Sequence, residues 1–270
     1  MREVRQEVFA LFGNPVGHSL SPLMHNAAFS REGLNACYVP FCVENLNIAV
    51  QAIRALNIRG VSVTIPFKVD VMKHLDAVDE DALRIGAVNT IMNDGGRLRG
   101  ANTDWKGLIL ALKEATAIRD KTFVILGAGG TARAAVFGIL SEGGIPLVVN
   151  RSAEKGRLLA AEWRCVFHPW QRLGEIKADC LINTTPVGMA PETGLSPIQP
   201  DVLKNFKLVM DVIYNPLRTK LLQDAQKAGC VVLSGVSMFV HQGAEQIRLW
   251  TGQEPPRPFM SEIVRQALEG

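Results

Sequence analysis

The stretch from Lys121 to Leu140, KTFVILGAGGTARAAVFGIL, constrains the fold of this chain more than any other part of the sequence. Its residues Phe123 to Leu126 are apolar and predict a buried parallel strand. A glycine-rich turn comes next, and the alanine-rich segment from Thr131 to Leu140 then predicts a helix. Strand, tight turn and helix in this order are typical of the beginning of a βαβ unit.

The glycine-rich turn has the pattern of a dinucleotide site, G-x-G-x-x-G/A, with Gly127, Gly129 and Ala132 at its three fixed positions. The first glycine allows the tight turn, the second lets the backbone approach a pyrophosphate, and the alanine lets the helix lie close to the strand. The beginning of the helix would receive the phosphates. A second predicted strand, Ile145 to Asn150, favours this interpretation over a merely tight turn. The residues expected to bind the cofactor here are Gly127, Ala128, Gly129, Gly130, Thr131 and Ala132.

The residues after the second strand indicate which dinucleotide binds. NAD sites usually carry Asp or Glu about 20 residues beyond the glycines, where it accepts a hydrogen bond from the ribose 2′-hydroxyl. This chain has Asn150, Arg151 and Ser152 at that place, followed by Lys155. A carboxylate would repel a 2′-phosphate, whereas Arg151 and Lys155 would bind it. The turn therefore predicts NADP as the cofactor.

Composition excludes several classes of protein. The chain has 270 residues, 47% of them hydrophobic and 20% charged, with a net charge of only +3. Basic residues alternate with acidic ones, so we expect neither a nucleic-acid partner nor a membrane partner. The N-terminal apolar run is too short for a signal peptide. Five cysteines without a C-x-x-C pair indicate free thiols in a reducing compartment, and we expect a cytoplasmic protein.

Strand and helix patterns also alternate before the glycine-rich turn. We predict strands over 8–12, 37–43 and 60–65, helices over 22–31, 44–57 and 105–115, and another helix that begins at Pro66. Ser21 is predicted as the N-cap of the first helix, with Pro22 in its first position. Residues 93–96, Asn-Asp-Gly-Gly, predict a hairpin turn between strands over 87–92 and 97–101.

These patterns predict an α/β fold with two domains. Residues 1–104 form a small α/β domain, and 239–270 return to complete it with helices. Residues 105–238 form a Rossmann-type NADP-binding domain. The predicted strands give way to helices at several polar segments, and open α/β sheets bind their ligands at such places.

Those polar segments carry a family resemblance that extends over essentially the whole chain. In chain order they are HSLSP at 18–22, SVTIPFK at 62–68, AVNT at 87–90, NTD at 102–104, NRS at 150–152, NTTPVGM at 183–189, DVIYNP at 211–216 and GVSMFVHQGAEQ at 235–246. Together with the glycine-rich turn, they resemble the shikimate dehydrogenase family. The resemblance implies reversible, NADPH-dependent reduction of 3-dehydroshikimate to shikimate.

The resemblance implies a catalytic pair, Lys68 and Asp104. In the family this pair faces the reacting carbon of the substrate. An ammonium group stabilises and protonates the alkoxide that hydride transfer to a ketone leaves. Asp104 would hold Lys68 in place, bias its pKa and bind a ring hydroxyl. An isolated lysine in the first turn of a helix is more often a surface residue, and Asp104 is also a plausible N-cap.

The resemblance also implies contacts to the rest of the substrate and to the cofactor. Two serines and a tyrosine would bind the substrate carboxylate, namely Ser19, Ser21 and Tyr214. Ring hydroxyls would be bound by Thr64, Asn89 and Gln242. Further cofactor contacts fall on Thr184, Val212, Gly235 and Met238.

Two departures from the family pattern leave substrate choice open. Ser62 stands where the family usually has Asn, and Trp105 stands where Gly is common. A quinate/shikimate dehydrogenase with broader substrate and NAD(P) use is therefore an alternative. A catalytically silent polyol- or nucleotide-binding module is a further alternative, which retention of Lys68 and Asp104 disfavours. The histidines suggest no metal site. We expect a small-molecule substrate and a monomer or homodimer, and a place within a larger multifunctional enzyme stays open.

Overall fold

The computed structural model describes residues 6–269. The chain divides into two compact units. The first unit contains the chain up to Thr103 together with Gln242–Ala267. The second unit contains Asp104–His241 and the residues after Ala267.

The first unit is built on a mixed six-stranded sheet. Its strands are β1 (Glu7–Gly13), β2 (Ala36–Cys42), β3 (Gly60–Val63), β4 (Ala77–Val78), β5 (Thr90–Asp94) and β6 (Arg97–Ala101). They lie in the order β2-β1-β3-β5-β6-β4, with β5 antiparallel to both of its neighbours. The helices between them are α1 (Ser21–Arg31), α2 (Leu46–Ala55) and α3 (Glu80–Ile85), and Asp70–His74 is a 3-10 helix.

Hydrophobic periodicity explains the core of this unit. Val50 and Ile53 lie on one face of α2 and are buried against the sheet. The hairpin between β5 and β6 closes with Asp94 paired to Arg97, in agreement with the hairpin turn predicted from Asn-Asp-Gly-Gly at 93–96. Gly95 and Gly96 both have positive φ, +62° and +98°, which a two-residue hairpin loop of this kind requires.

Two local predictions for the first unit are wrong. The N-cap of α1 is Leu20, and Ser21 is already the first residue of the helix, where its N–H donates to the Ser19 hydroxyl at 3.2 Å. Pro66 does not begin a helix: residues 65–66 and 68–69 form turns, and a 3-10 helix begins only at Asp70. The Lys68 carbonyl there accepts the N–H of Val88 at 2.7 Å, so it is engaged outside any helical turn.

The second unit contains an all-parallel six-stranded sheet. Its strands are β7 (Thr122–Leu126), β8 (Ile145–Asn150), β9 (Val166–Pro169), β10 (Ala178–Asn183), β11 (Phe206–Asp211) and β12 (Val231–Leu233). Their order is β12-β11-β10-β7-β8-β9, which is the doubly wound order of a Rossmann sheet and confirms the predicted fold class. Its helices are α4 (Asp104–Lys113), α5 (Gly130–Ser141), α6 (Ala153–Glu162) and α7 (Lys220–Lys227), with 3-10 helices at Trp170–Glu175 and Pro200–Asn205.

The central strands of this sheet, β7, β10 and β11, are buried on both faces. Phe123 and Ile125 of β7 point to a core that includes residues of α4 and α5, while Val124 and Leu126 point to the opposite core. This alternation is the period of two expected of a strand. α4 begins at Asp104, one residue earlier than predicted, so Asp104 lies in its first turn rather than preceding it.

Two helices follow the Rossmann strands, α8 (Gly235–Thr251) and α9 (Arg257–Glu269). Their residues from Gln242 to Ala267 belong to the first unit, which confirms that C-terminal helices return to it. Over the part of the chain that the structure describes, no helix combines the length and the apolar character needed to cross a membrane.

Candidate active site

One edge of the first unit collects most of the polar residues that the motifs singled out. The carboxyl ends of β1, β3 and β6 meet there with the amino end of β5. The loops that leave β1 and β3 are joined by backbone bonds, with Asn14 N–H donating to the Ile65 carbonyl at 3.0 Å and Thr64 N–H to the Phe12 carbonyl at 2.8 Å. The topology thus explains why residues far apart in sequence face one edge.

The two serines lie at the beginning of α1. Ser19 is half-buried in the loop, and its hydroxyl accepts the Ser21 N–H. The Ser21 carbonyl accepts a hydrogen bond from His25 Nδ1 at 2.8 Å. A carbonyl can only accept, so Nδ1 of His25 carries the proton. Burial lowers the pKa of His25 to about 4, and this neutral ring stacks on Tyr38 at 4.2 Å. The result is a fixed helix start with both hydroxyls beside it.

Lys68 lies in the turn after β3 and is half-buried. The Thr64 carbonyl accepts the Phe67 N–H at 3.0 Å, and the Lys68 carbonyl accepts the Val88 N–H at 2.7 Å. The backbone around Lys68 is therefore held from both sides. Lys68 thus lies in a turn ahead of the 3-10 helix Asp70–His74, not in the first turn of a helix as predicted.

Asn89 is the centre of a buried hydrogen-bond network. Its Oδ1 accepts the Thr103 N–H at 2.7 Å and the Thr90 hydroxyl at 2.8 Å. Its Nδ2 donates to the Thr103 hydroxyl at 2.9 Å and to Gln242 Oε1 at 3.5 Å, the outer limit for a hydrogen bond. The structure thus brings together Asn89 and Gln242, two residues that are 153 positions apart and were both predicted to bind ring hydroxyls.

Gln246, the last residue of the motif at 235–246, is a member of this network for which no role was predicted. Its Oε1 accepts the Ser62 hydroxyl at 2.8 Å. Its Nε2 donates to the Asn89 carbonyl at 3.2 Å and to the Thr90 hydroxyl at 3.1 Å. A helical spacing of four from Gln242 is the one signal that could have indicated it, because residues four apart share a face of α8.

The glycine-rich turn of the second unit lies at the carboxyl end of β7. Gly127 has φ +120°, and a Cβ there would lie 2.6 Å from the Thr184 hydroxyl oxygen. That hydroxyl donates to the Leu126 carbonyl at 2.6 Å. Thr184, predicted to contact the cofactor, therefore packs directly on the turn. Ala132 is fully buried, as close packing of α5 on the strand requires.

Gly129 has a different environment from Gly127. It is the N-cap of α5 with an extended backbone, φ −88° and ψ −172°, and α5 has no side chain bonded to its first N–H groups. Apart from Gly129 itself and its two chain neighbours, no described residue has an atom within 4 Å of the position that a Cβ would occupy. Internal packing therefore does not explain the glycine, whereas the approach of a pyrophosphate to the backbone does. The turn fits a dinucleotide.

The predicted phosphate-binding turn lies at the same edge. Gly127 N–H donates to the carbonyl of Val149, the residue before Asn150. Asn150 Nδ2 donates to the Ser152 carbonyl at 2.9 Å, and the Ser152 hydroxyl caps α6 by accepting the Lys155 N–H at 3.4 Å. Arg151 and Lys155 are exposed, and neither has an acidic partner among the residues that the structure describes. Two unneutralised cations beside the turn suit a 2′-phosphate.

The remaining predicted cofactor and substrate residues of the second unit lie after β11 and in α8. Gly235 is required by packing, because a Cβ there would collide with the Val212 carbonyl. Met238 is only 6% exposed and lies in the core beneath β7 and α5. The ring of Tyr214 stacks on Phe239, with centroids 4.1 Å apart.

A buried carboxylate lies at the ends of β10 and β11, at the first position of the DVIYNP motif. Asp211 is fully buried and accepts hydrogen bonds from Asn183 Nδ2 at 3.0 Å, Ile213 N–H at 3.1 Å and the Thr219 hydroxyl at 2.7 Å. Burial nevertheless raises the pKa of Asp211 to about 6. Its partners are all neutral, so we assign it to holding the loops after these two strands.

The described residues contain no group of three His, Cys, Asp or Glu side chains that could hold a metal ion.

Comparison with known proteins agrees with this geometry along the whole chain. Residues 11–91 match the family model described as "Shikimate dehydrogenase substrate binding domain", and residues 235–269 match "Shikimate 5'-dehydrogenase C-terminal domain". The chain is 43% identical over 276 residues to the shikimate dehydrogenase (NADP(+)) of Methanothermobacter thermautotrophicus, covering 98% of each protein.

Solved structures of shikimate dehydrogenases have the same fold over nearly the whole chain. A shikimate dehydrogenase in complex with NADP+ is 39% identical, with a TM-score of 0.92 over 99% of this chain and 98% of that one. The Thermus thermophilus shikimate 5-dehydrogenase in complex with NADP(H) and shikimate is 37% identical, with a TM-score of 0.89 over 97% of this chain and 100% of that one. With full-length similarity at this identity, and with the glycine-rich turn and both sheets in place, the chain belongs to the shikimate dehydrogenase family.

Proposed function

We propose that this protein is an NADP-dependent shikimate dehydrogenase, which reversibly reduces 3-dehydroshikimate to shikimate in the shikimate pathway of aromatic amino acid biosynthesis. The observation that carries the proposal is the full-length similarity to enzymes of that activity. In this proposal the substrate domain comprises residues 1–104 and 239–270, bounds that differ by a few residues from those of the first unit. The second unit, near 105–238, is the NADP domain.

NADP is the cofactor, and when bound as NADPH it supplies the hydride for the ketone. The residues that would hold it are the glycine-rich turn from Gly127 to Ala132, with its uncapped helix start, and the cationic turn from Asn150 to Lys155. Thr184, Val212, Gly235 and Met238 complete the proposed set. Open space beside Gly129 and the unpaired charge of Arg151 support these roles.

Lys68 and Asp104 are the proposed catalytic residues. As a ketone is reduced, negative charge develops on its oxygen, and the Lys68 ammonium stabilises that charge and donates the proton that makes the hydroxyl. In the reverse direction the amine takes the proton from the substrate hydroxyl. Asp104 supplies a carboxylate that accepts a hydrogen bond from a ring hydroxyl. The fixed backbone on both sides of Lys68 supports its role, because proton transfer requires a positioned group.

Substrate binding follows from the polar groups already described. In this proposal Ser19, Ser21 and Tyr214 bind the carboxylate, and the positive end of the α1 dipole favours an anion there. Thr64, Asn89 and Gln242 bind ring hydroxyls. The direct bond between Asn89 and Gln242 supports their joint assignment, since one hydroxyl can accept from the amide and donate to the carbonyl oxygen.

The two departures from the family pattern have structural explanations that leave the reaction unchanged. Ser62 is 5% exposed and its hydroxyl is bonded to Gln246. Trp105 packs edge to face on Phe137 of α5 with centroids 5.1 Å apart. The loss of a family Asn is the observation that keeps quinate as a second candidate substrate.

The test is a steady-state assay of NADPH absorbance with shikimate or quinate as substrate and NADP or NAD as coenzyme. We expect turnover with shikimate and NADP to exceed that of the other three combinations. Comparable kcat/KM for quinate, or for NAD, would instead favour the broader enzyme. Binding of NADP without turnover of either substrate would favour the silent binding module. The cytoplasmic location and the choice between monomer and homodimer stay predictions.

A further inference from the structure

We propose that Gln246, acting with Ser62 and Thr90, is a positioning residue that fixes the orientation of the Asn89 side-chain amide. Through that amide it sets how tightly the enzyme holds a ring hydroxyl of its substrate. The inference deepens the proposed function and rests on it, because it takes Asn89 and Gln242 as substrate ligands.

The orientation of the Gln246 amide follows from the groups around it. Its side chain faces the Asn89 carbonyl, which can only accept a hydrogen bond, so Nε2 must be the atom turned toward it, at 3.2 Å. Oε1 is then left to accept the Ser62 hydroxyl at 2.8 Å. Nε2 has a second hydrogen, which goes to the Thr90 hydroxyl at 3.1 Å. Gln246 therefore has one possible orientation.

The donor and acceptor roles of the Thr90 hydroxyl and the orientation of the Asn89 amide follow from their partners in the same way. Thr90 Oγ1 accepts from Gln246, so its single proton is available to Asn89 Oδ1, which lies 2.8 Å away. The Thr103 N–H, which can only donate, also requires Oδ1 on that side, at 2.7 Å. Nδ2 of Asn89 is consequently turned toward Gln242 Oε1. A chain of hydrogen bonds in one direction links Ser62 to the proposed substrate contact.

Because these hydrogen bonds are buried, the loss of one partner should disturb the others. Ser62, Asn89, Thr90 and Gln246 are each at most 5% exposed. Water is therefore a poor substitute for a lost partner, and an unpaired buried group drives its neighbours to rearrange. Asn89 presents a donor beside the acceptor of Gln242. A hydroxyl satisfies both groups, whereas a ketone oxygen can only accept, so the arrangement selects a hydroxyl at this position.

The first experiment removes the hydrogen bonds with little change in volume. In Gln246→Met, KM for shikimate should rise about 3- to 10-fold, the value of one net hydrogen bond. The kcat and the KM for NADP should change less than about 2-fold. Thr90→Val should reproduce the effect, and Thr90→Ser, which keeps the hydroxyl, should restore the wild-type KM. An unchanged KM in both Gln246→Met and Thr90→Val would overturn the proposal.

A structural control comes from Asn93, a buried residue at the other end of β5. Its Nδ2 donates to the Ile58 carbonyl at 2.9 Å, and its Oδ1 accepts the Gly96 N–H at 2.7 Å. Asn93→Ala should lower the melting temperature as much as Gln246→Met or more, yet leave KM for shikimate unchanged. A rise of KM in this control would mean that loss of stability alone accounts for the effect.

Two further measurements separate positioning from general damage. In an Asn89→Ala background, Gln246→Met should have no additional effect on KM, because the group it positions is gone. An additive effect would refute the proposal. The Asn89 side-chain amide signal, assigned by NMR from its loss in Asn89→Ala, should shift and exchange faster in Gln246→Met, and an unaltered signal would also refute it. The NMR result stands even if shikimate is not the substrate, so the two proposals fail separately.

Discussion

The buried carboxyl of Asp211 predicts an unusual pH dependence of stability. Three neutral donors bind it, which favours the charged form, but full burial disfavours charge and is the larger effect. The folded pKa is therefore raised from 3.8 to about 6. A group whose pKa is raised by folding contributes stability below its unfolded pKa and loses it as the pH rises through the folded pKa. Between about pH 4 and pH 6 this carboxyl should therefore weaken the fold.

The magnitude follows from the two pKa values. At about 1.4 kcal/mol for each pKa unit, the change from 3.8 to about 6 corresponds to about 3 kcal/mol. Asp211→Asn mimics the protonated form: its Oδ1 can still accept from Asn183 and Ile213, and the Thr219 hydroxyl can turn to accept from Nδ2. Because the unfolded carboxyl is already partly ionised at pH 4, the difference in free energy of unfolding between variant and wild type should move by about 2 kcal/mol in favour of the variant from pH 4 to pH 7.

The assay is thermal and urea unfolding of both proteins across this range. Only the difference between them is interpreted, because other groups titrate too. Burial lowers the pKa of His25 to about 4, so His25 costs stability as the pH falls and opposes Asp211 in the same window. That contribution is common to both proteins and cancels. A difference that stays constant with pH would refute the reasoning. A difference that moves in favour of wild type would mean that the three hydrogen bonds exceed the cost of burial.

Two other predictions test the proposed catalytic and coenzyme residues. Lys68→Ala should lower kcat by ~10²- to 10⁴-fold with an unchanged KM for NADP. Lys73 is an exposed lysine whose ammonium pairs with Asp70, so the control variant Lys73→Ala should retain activity. Near-normal turnover of Lys68→Ala would refute the mechanism. Arg151→Ala removes a charge-assisted contact of ~1.5–3 kcal/mol, so kcat/KM for NADP relative to NAD should fall about 10- to 100-fold. Arg157→Ala, an exposed arginine over Phe167, is the control, and an unmoved ratio in Arg151→Ala would contradict the phosphate assignment.

The part of the fold that depends on local pattern could be predicted from the sequence. The strand Ile145–Asn150 has the predicted bounds, β7 begins one residue earlier than predicted, and α5 extends one residue further at each end. The signals there are an apolar run, a glycine-rich turn and an alanine-rich helix, all of which act within a few residues. The Rossmann order of strands follows from repeating such units.

The errors occur where distant partners replace local ones. Pro66 was expected to begin a helix, but the Lys68 carbonyl is bound by Val88, twenty residues away, and nothing near Pro66 indicates this. The network of Gln246 was missed for the same reason, because Ser62 lies 184 residues from it. The N-cap of α1 is the exception, because there both candidates are local: Ser21 was predicted, whereas its N–H is bound by the Ser19 hydroxyl two residues before it.

The two glycines of the dinucleotide turn show where sequence and structure differ in what they establish. The G-x-G-x-x-A pattern predicts that Gly127 allows the tight turn and that Gly129 lets the pyrophosphate approach the backbone. The structure indicates that Gly127 is needed for folding, whereas Gly129 is needed only for binding. At Gly127, φ is +120° and an added Cβ would lie 2.6 Å from the Thr184 hydroxyl. Gly127→Ala should therefore destabilise the protein by about 2–4 kcal/mol without any ligand. At Gly129 the backbone suits any residue and no described residue beyond its two chain neighbours is near, so Gly129→Ala should fold with stability within about 1 kcal/mol of wild type.

Ligand binding should reverse the order of the two variants. The methyl group of Gly129→Ala would stand where the pyrophosphate approaches the backbone, so its affinity for NADP should fall at least about 10-fold, the cost of one lost phosphate contact. Thermal unfolding without ligand and calorimetric titration with NADP measure the two effects independently. Equal destabilisation of both variants would mean that Gly129 also serves the fold. Wild-type NADP affinity in a folded Gly129→Ala would mean that the pyrophosphate does not approach this backbone, and the phosphate site would then have to lie elsewhere on the edge of the sheet.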